Sequence, residues 1–339
     1  MEKDEVLMSA LRSRKPALVI IMIVAWLSVD FTYELGAAEP PAVEVGLPED
    51  GVFGLGGQYL IDKGLDRKHG FMMKPRWAAV ADVERLLAIG AIPLGLATSE
   101  ATMRAHLNNI PIRLIQPYMT PHNSVLVRKD APYKNLTDLK GKAFAVPPEV
   151  TSAYNNFDYI MKKQGVDIEK FYQLKKLGAA GISTVLERNE VEAGYTWEAH
   201  TSKLLATGKY RVLVVPRDEM NRLLNTKVKM LGWIGALDNW LSKNQPLIPK
   251  FRAAWQEMIK GVQQDEEHFR KHAKRFFGLE KPEELELGWN RTRQFLLPPD
   301  FTWPDKTNLD IEKKYLREST EMGIFPKEAA GVIDAMFVP

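Results

Sequence analysis

The sequence of 339 residues contains no cysteine. That absence excludes disulfides, a thiol nucleophile, a thiolate metal centre and a lipid-modified cysteine. Charge of one sign is also lacking: 46 basic residues face 43 acidic ones, a net charge of +3 with the signs interspersed. A nucleic-acid-binding face therefore has no electrostatic footprint. No apolar run reaches the roughly 20 residues that a membrane helix needs. There is no G-x-S-x-G for a serine nucleophile, and no G-K-[ST] follows a glycine loop as phosphate binding requires. The glycines Gly54, Gly56 and Gly57 miss the dinucleotide spacing, because Tyr59 stands where a third glycine belongs. They are expected to form a tight turn that lets backbone approach a ligand. His268 and His272, spaced i, i+4 in "EEHFRKH", could chelate a metal. Phe269 replaces the glutamate of a zincin, and the surrounding Lys and Arg point to a solvated helix face. No catalytic signature, cofactor or metal is expected.

What is present begins at the N-terminus. Arg12, Arg14 and Lys15 precede the short apolar run Ala17–Val29, and Gly36-Ala37-Ala38 offers the small residues of a cleavage site. Together these predict a secretory signal peptide over residues 1–38, with an uncleaved anchor as the alternative and Met8 as a second candidate start. Export and the absence of cysteine suit a bacterial periplasm.

Beyond residue 38, strand-like and helix-like segments alternate. Strands are predicted at Ala42–Leu47, Leu94–Ala97, Ile112–Tyr118, Ser124–Asp130, Ala143–Val146, Phe171–Leu177, Val191–Thr196 and Tyr210–Pro216. Amphipathic helices stand between them, as in "TSAYNNFDYIMKKQG", where Tyr154, Phe157, Ile160 and Met161 share a side and Gly165 closes the helix. From about Leu237 the pattern is mainly helical. Strands separated by helices imply an α/β fold with parallel sheets and ligands at the carboxyl ends of strands. Without a Pro/Gly-rich linker, two lobes would have to be joined by extended crossing strands.

Four loops fall at predicted strand ends: Leu47–Gly57, Ala97–Met103, Val146–Asn155 and Gly194–His200. Three carry a Ser or Thr at a helix start, where the hydroxyl and free N–H groups either cap the helix or hold a polar ligand. In the last, "EVEAGYTWEAH", Thr196 is predicted as the N-cap, with Tyr195, Trp197 and Glu198 facing a cleft.

The segment Tyr133–Asp167, with its Asp138-Leu139-Lys140-Gly141 leading into a strand, a small-residue loop and a helix, resembles the signature region of periplasmic substrate-binding proteins of the NMT1/THI5-like and aliphatic-sulfonate-binding group. The resemblance runs from about Val43 to Ala254. It implies a type II periplasmic binding protein, with two α/β lobes joined by two crossing strands and a ligand in the cleft. Lobe 1 would comprise residues 39–126, lobe 2 residues 127–226, and residues 227–339 would return to lobe 1 and pack a C-terminal helical region on it. The protein would capture a small molecule by hinge closure about Ser124–Arg128 and Lys227–Gly232, and deliver it as a monomer to the permease and ATPase of an ABC importer. Carried over by position, the ligand-binding residues would be Asp50, Phe53, Thr98, Ser99, His122, Glu149, Thr151, Ser152, Tyr195, Trp197, Glu198 and Trp233. Carboxylates at Asp50, Glu100, Glu149 and Glu198, without a matching arginine, favour an amine-bearing or heteroaromatic, pyrimidine-like ligand over an oxyanion. A sulfonate or carboxylate binder of the same fold is the alternative. A sensing role stays open. An enzyme of the desulfinase or pyrimidine-synthase type is disfavoured by the missing cysteine.

Overall fold

The computed structural model describes residues 39–338, and every element below belongs to the compact unit that begins at Ala42. The expected signal peptide lies outside the described residues. Ten strands form two five-stranded sheets. The first contains β1 (Ala42–Pro48), β2 (Met72–Ala78), β3 (Leu94–Thr98), β4 (Ile112–Met119) and β10 (Gly232–Leu237), in the order β2-β1-β3-β10-β4. The second contains β5 (Asn123–Arg128), β6 (Ala143–Val146), β7 (Gln173–Lys176), β8 (Ala193–Trp197) and β9 (Tyr210–Val214), in the order β7-β6-β8-β5-β9.

The two sheets are built alike. In each, four strands run parallel and the fourth position is taken by an antiparallel strand, β10 between β3 and β4 and β5 between β8 and β9. Both antiparallel strands are the ones entered from the other lobe. The chain crosses first between Met119 and Asn123 and returns between Val214 and Gly232. The two crossings touch: Leu231 N–H donates to Met119 O at 2.9 Å. The expected boundary at 126/127 falls inside β5. Ser124–Arg128 is likewise no crossing segment, because β5 is paired with a strand on each side.

Local chemistry explains the elements. β6 is an unbroken apolar run, Ala-Phe-Ala-Val, as suits a strand covered on both faces. β2 escapes the hydrophobic pattern because Lys74, Pro75 and Arg76 interrupt it. It forms at the sheet edge, where a proline costs no ladder bond on its outer side. The glycine run corrects an expectation. Gly54, Gly56 and Gly57 form no turn and lie buried inside the helix Gly51–Asp62. They allow close packing: a Cβ on Gly56 would lie 2.5 Å from the Tyr118 hydroxyl, and one on Gly57 2.5 Å from Leu47 Cδ1.

The C-terminal helices also depart from expectation. Leu247–Val262 and Glu266–Phe277 do pack on the lobe 1 helix Gly51–Asp62, but Pro282–Phe295 packs on the lobe 2 helix His200–Ala206. The helix Lys306–Glu321 spans both lobes. Its Glu312 meets Ser99 and Lys229, while its Glu318 accepts from Tyr159 (2.6 Å) and pairs with Lys163 (3.2 Å) on lobe 2. Polar groups on successive turns of this helix point to different lobes, so packing on lobe 1 alone would leave Glu318 without those partners.

Candidate functional site

The carboxyl ends of β1 and β3 bring Asp50, Phe53, Thr98 and Ser99 to one edge of the first lobe, and the β10 register sets Gly232 opposite Thr98 and Trp233 opposite Ala97. In the second lobe the ends of β6 and β8 carry Glu149, Thr151, Ser152, Trp197 and Glu198, and Asn123, just after His122, lies opposite Trp197. Arg104 Nη2 reaches from the first of these sets to the second, donating to Val150 O at 2.6 Å. Thr98 and Thr151 are helix caps, accepting from Ala101 N–H (3.1 Å) and Tyr154 N–H (3.2 Å). Ser152 is half-buried at the start of its helix. Asp50 begins its helix without a side-chain cap bond, and burial of its carboxyl, aided by Glu49, holds its pKa above the usual range.

Other predicted residues are engaged inside the protein. Ser99 is fully buried and donates to Glu312 Oε1 at 2.6 Å. Glu149 is exposed and ion-paired with Lys176. Glu198 is buried, pairs with Arg291 Nε at 2.5 Å and accepts from Ser202 Oγ at 2.5 Å. Its pKa is raised by burial, against the opposing pull of Arg291 and Ser202. Phe53 is core, set edge-on to the Tyr118 ring at 4.8 Å. Trp233 is also core rather than a surface a ligand could meet, fully buried against Trp303 (5.1 Å) and Phe337 (5.6 Å). Tyr195 has its ring packed on Phe157 at 5.4 Å and is fully buried, so its face is not free to stack on a ligand. Thr196, expected to cap, is a buried residue of β8, and the helix starts only at His200. The strand runs to Trp197, one residue beyond the predicted end, because β5 pairs with it that far. Trp197 itself is half-buried, edge-on to the His200 ring at 6.4 Å.

Several polar atoms here are buried without a hydrogen-bond partner. His122 Nδ1, Asn123 Oδ1, both amide atoms of Asn156 and the Tyr195 hydroxyl belong to this set. Burial pushes the His122 pKa down to about 4, so its imidazole is neutral at physiological pH. Sequence reasoning did not single out Asn123, between His122 and Ser124, or Asn156, which it read only as part of an amphipathic helix. It also missed Lys229, Arg291 and Glu312, whose partners lie far away in the chain. Three basic groups near these loops have carboxylate partners, Arg291 with Glu198, Lys176 with Glu149 and Glu169, and Lys229 with Glu312, whereas Arg104 donates to the Val150 carbonyl.

Comparison with known proteins fits this frame. The NMT1/THI5-like family profile matches residues 72–266. No curated protein matches the chain. Among solved structures, the periplasmic aliphatic sulphonate-binding protein SsuA of Escherichia coli superposes with a TM-score of 0.70 at 20% identity, covering 88% of this chain and 97% of its own. The alkanesulfonate-binding protein SsuA of Xanthomonas axonopodis pv. citri, bound to MOPS, gives 0.69 at 17% identity, over 89% and 99% of the two chains. The periplasmic nitrate-binding protein NrtA of Synechocystis gives 0.67 at 13% identity, over 88% and 86%. The two sheets, each with its antiparallel strand entered from the opposite lobe, have the type II periplasmic binding protein fold. With the profile match extending over more than half of its length, the chain belongs to the NMT1/THI5-like family.

Proposed function

We propose that the protein is the exported, periplasmic solute-binding component of an ABC importer, and that it acts as a monomer that captures a small organic ligand between its two lobes. The observation that carries this reading is the pairing of two crossings with buried, unpartnered polar atoms at His122, Asn123 and Asn156. Each such atom costs about 1–3 kcal/mol when left unpaired. A polar ligand that offset that cost and also met the lobe 1 edge at Asp50 and Thr98 would hold both lobes, so binding would favour closure through its higher affinity for the closed state. Catalysis has no support: the related structures described above are named as binding proteins, and no cysteine is available for thiol chemistry.

For the ligand we favour an uncharged or amine-bearing heteroaromatic compound. Asp50 and the buried Glu100 stand at helix starts, while Arg291, Lys176 and Lys229 already have carboxylate partners. An oxyanion would meet Asp50 and Glu100 there, with Arg104, bonded to the Val150 carbonyl, as the one guanidinium at these loops not paired with a carboxylate among the described ion pairs. Trp197, half-buried beside His122 and Asn123, is the aromatic we assign to ligand contact. A sulfonate ligand is the second reading, favoured by what the two SsuA proteins are named for. Thermal-shift screening with heteroaromatic amines, alkanesulfonates and nitrate separates the two. Stabilisation by amines, weakened at least about tenfold in Trp197→Ala, supports the first; stabilisation by the anions alone overturns it.

A further inference from the structure

Away from the cleft, the helix Glu266–Phe277 lays His268 and His272 one turn apart against Asp62, the last residue of the helix Gly51–Asp62. His272 Nε2 stands 2.9 Å from Asp62 Oδ2 and His268 Nδ1 stands 3.8 Å from the same oxygen. The three ligand atoms lie within 4.8 Å of one another. The i, i+4 histidines, which the sequence suggests are solvated, are thus joined by a carboxylate about two hundred residues away.

A simple His–Asp contact explains only half of this arrangement. It accounts for His272, whose ring is within hydrogen-bond reach of Asp62. His268 is 5% exposed, its ring edge-on to Tyr59 at 4.9 Å and its Nε2 buried without a partner. Its Nδ1 is too far from the carboxylate for a hydrogen bond. With Nε2 unpartnered, this buried imidazole is poorly compensated as a structural residue, and its other nitrogen, Nδ1, is the one that faces Asp62 Oδ2 at 3.8 Å.

We propose that Asp62, His268 and His272 form a binding site for a borderline divalent transition-metal ion, with Zn2+ as the best match. Two imidazoles and one carboxylate suit Zn2+ and disfavour the oxygen-seeking Ca2+ and Mg2+. Bond lengths of about 2.0–2.1 Å in a tetrahedral site set neighbouring ligand atoms about 3.3 Å apart, a value that the observed 2.9 and 3.8 Å bracket. The carboxylate is already oriented: Gln58 Nε2 donates to Asp62 Oδ1 at 2.6 Å, leaving Oδ2 for the ion. Part of the Asp62 side chain is open to solvent, which leaves the fourth position to water. Lys271 Nζ lies 3.8 Å from Oδ2, but its side chain is 69% exposed and can swing away at little cost. The ion would clip two lobe 1 helices together, one of which begins at the cleft edge after Asp50.

Isothermal titration of the full, tag-free, chelator-treated chain with ZnCl2, paired with Co2+ absorption as a geometry probe, tests the proposal. The expected result is one equivalent bound, a rise in Tm with added Zn2+, and a tetrahedral Co2+ spectrum. Asp62→Asn and His272→Gln, both near the surface and conservative in size, should lose more affinity than Gln58→Ala, whose loss should be about 10–100-fold. Circular dichroism checks that each variant is folded. Absence of binding at millimolar Zn2+ and Co2+, or unchanged affinity in folded Asp62→Asn and His272→Gln, overturns the site.

Discussion

Lys229 and Glu312 form an ion pair in which neither side chain has any solvent exposure, with Lys229 Nζ 2.9 Å from each carboxylate oxygen. Lys229 lies on the return crossing and Glu312 on the helix that spans both lobes. Ser99 donates to the same carboxylate, and Tyr315 of the same helix donates to Glu100 at 2.9 Å. Burial raises the Glu312 pKa and Glu100 adds to the rise, while Lys229 opposes both. The charges are thus held by one another, at the point where the lobes meet.

A buried pair of this kind contributes little beyond a hydrophobic substitute, but removing one partner strands a charge and costs about 3–5 kcal/mol. Lys229→Met should therefore destabilise the protein by about that much in urea denaturation, and adding Glu312→Gln should restore a large part. The sign of the pH dependence follows. With its folded pKa raised further in Lys229→Met, Glu312 should cost stability as pH climbs above the ordinary glutamate range, because only the unfolded chain can ionise it. A pH-independent loss would contradict this assignment.

His122 gives the opposite window. Its folded pKa is pushed down to about 4 by burial, so the stability it contributes is present above the usual histidine pKa and is lost as pH falls towards 4. Urea midpoints measured between pH 7 and pH 4 should fall with a slope that His122→Gln reduces by about one proton. His268, also pushed down to about 4, titrates in the same window, so the slope should shrink without vanishing.

Gly56 offers a test of packing against propensity. Replacing a helical glycine by alanine ordinarily stabilises by about 1 kcal/mol. Here the new methyl would meet the Tyr118 hydroxyl at 2.5 Å and Met258 Sδ at 3.0 Å, so Gly56→Ala should destabilise, by about 1–3 kcal/mol. Tyr118→Phe removes the obstructing oxygen, along with its hydrogen bond to Val52 O. The double variant should therefore lose less than the two single losses added together, which a double-mutant cycle reads directly.

Arg291 ties the helix Pro282–Phe295 to lobe 2 through two separate donors, Nε to Glu198 and Nη2 to Ser124 at 2.7 Å. Lysine has no planar fork to reach both. Arg291→Lys should lower stability and raise amide exchange within Pro282–Phe295 while leaving Leu247–Val262 protected. Equal exchange increases in both helices would show that Arg291 does not act at this contact.

Much of the scaffold was legible in the sequence. β3, β4, β6, β8 and β9 follow from apolar runs, and their alternation with amphipathic helices implied parallel sheets. The same reasoning failed where local pattern and packing diverge. Pro75 hid an edge strand, three glycines that suggest a turn were absorbed into a helix by Tyr118 and Leu47, and Thr196 was taken into a strand by pairing with β5. The candidate site was less legible still. Thr98 and Thr151 act as the helix caps that their positions suggest, but Ser99, Glu149 and Glu198 are held by Glu312, Lys176 and Arg291, none of which is near them in sequence.

The sequence by itself determined most of the segments that become strands and helices, though not β2 or β10, that cysteine chemistry is absent, and that strand ends would carry the polar residues. Hydrophobic period and capping chemistry act over a few residues, so they can be read from a few residues. Only the tertiary structure decided which of those polar groups remain available. The partners that hold Glu198, Glu312 and Asp62 stand 93, 83 and 210 residues away, and such pairings exist only once the lobes and the C-terminal helices have packed.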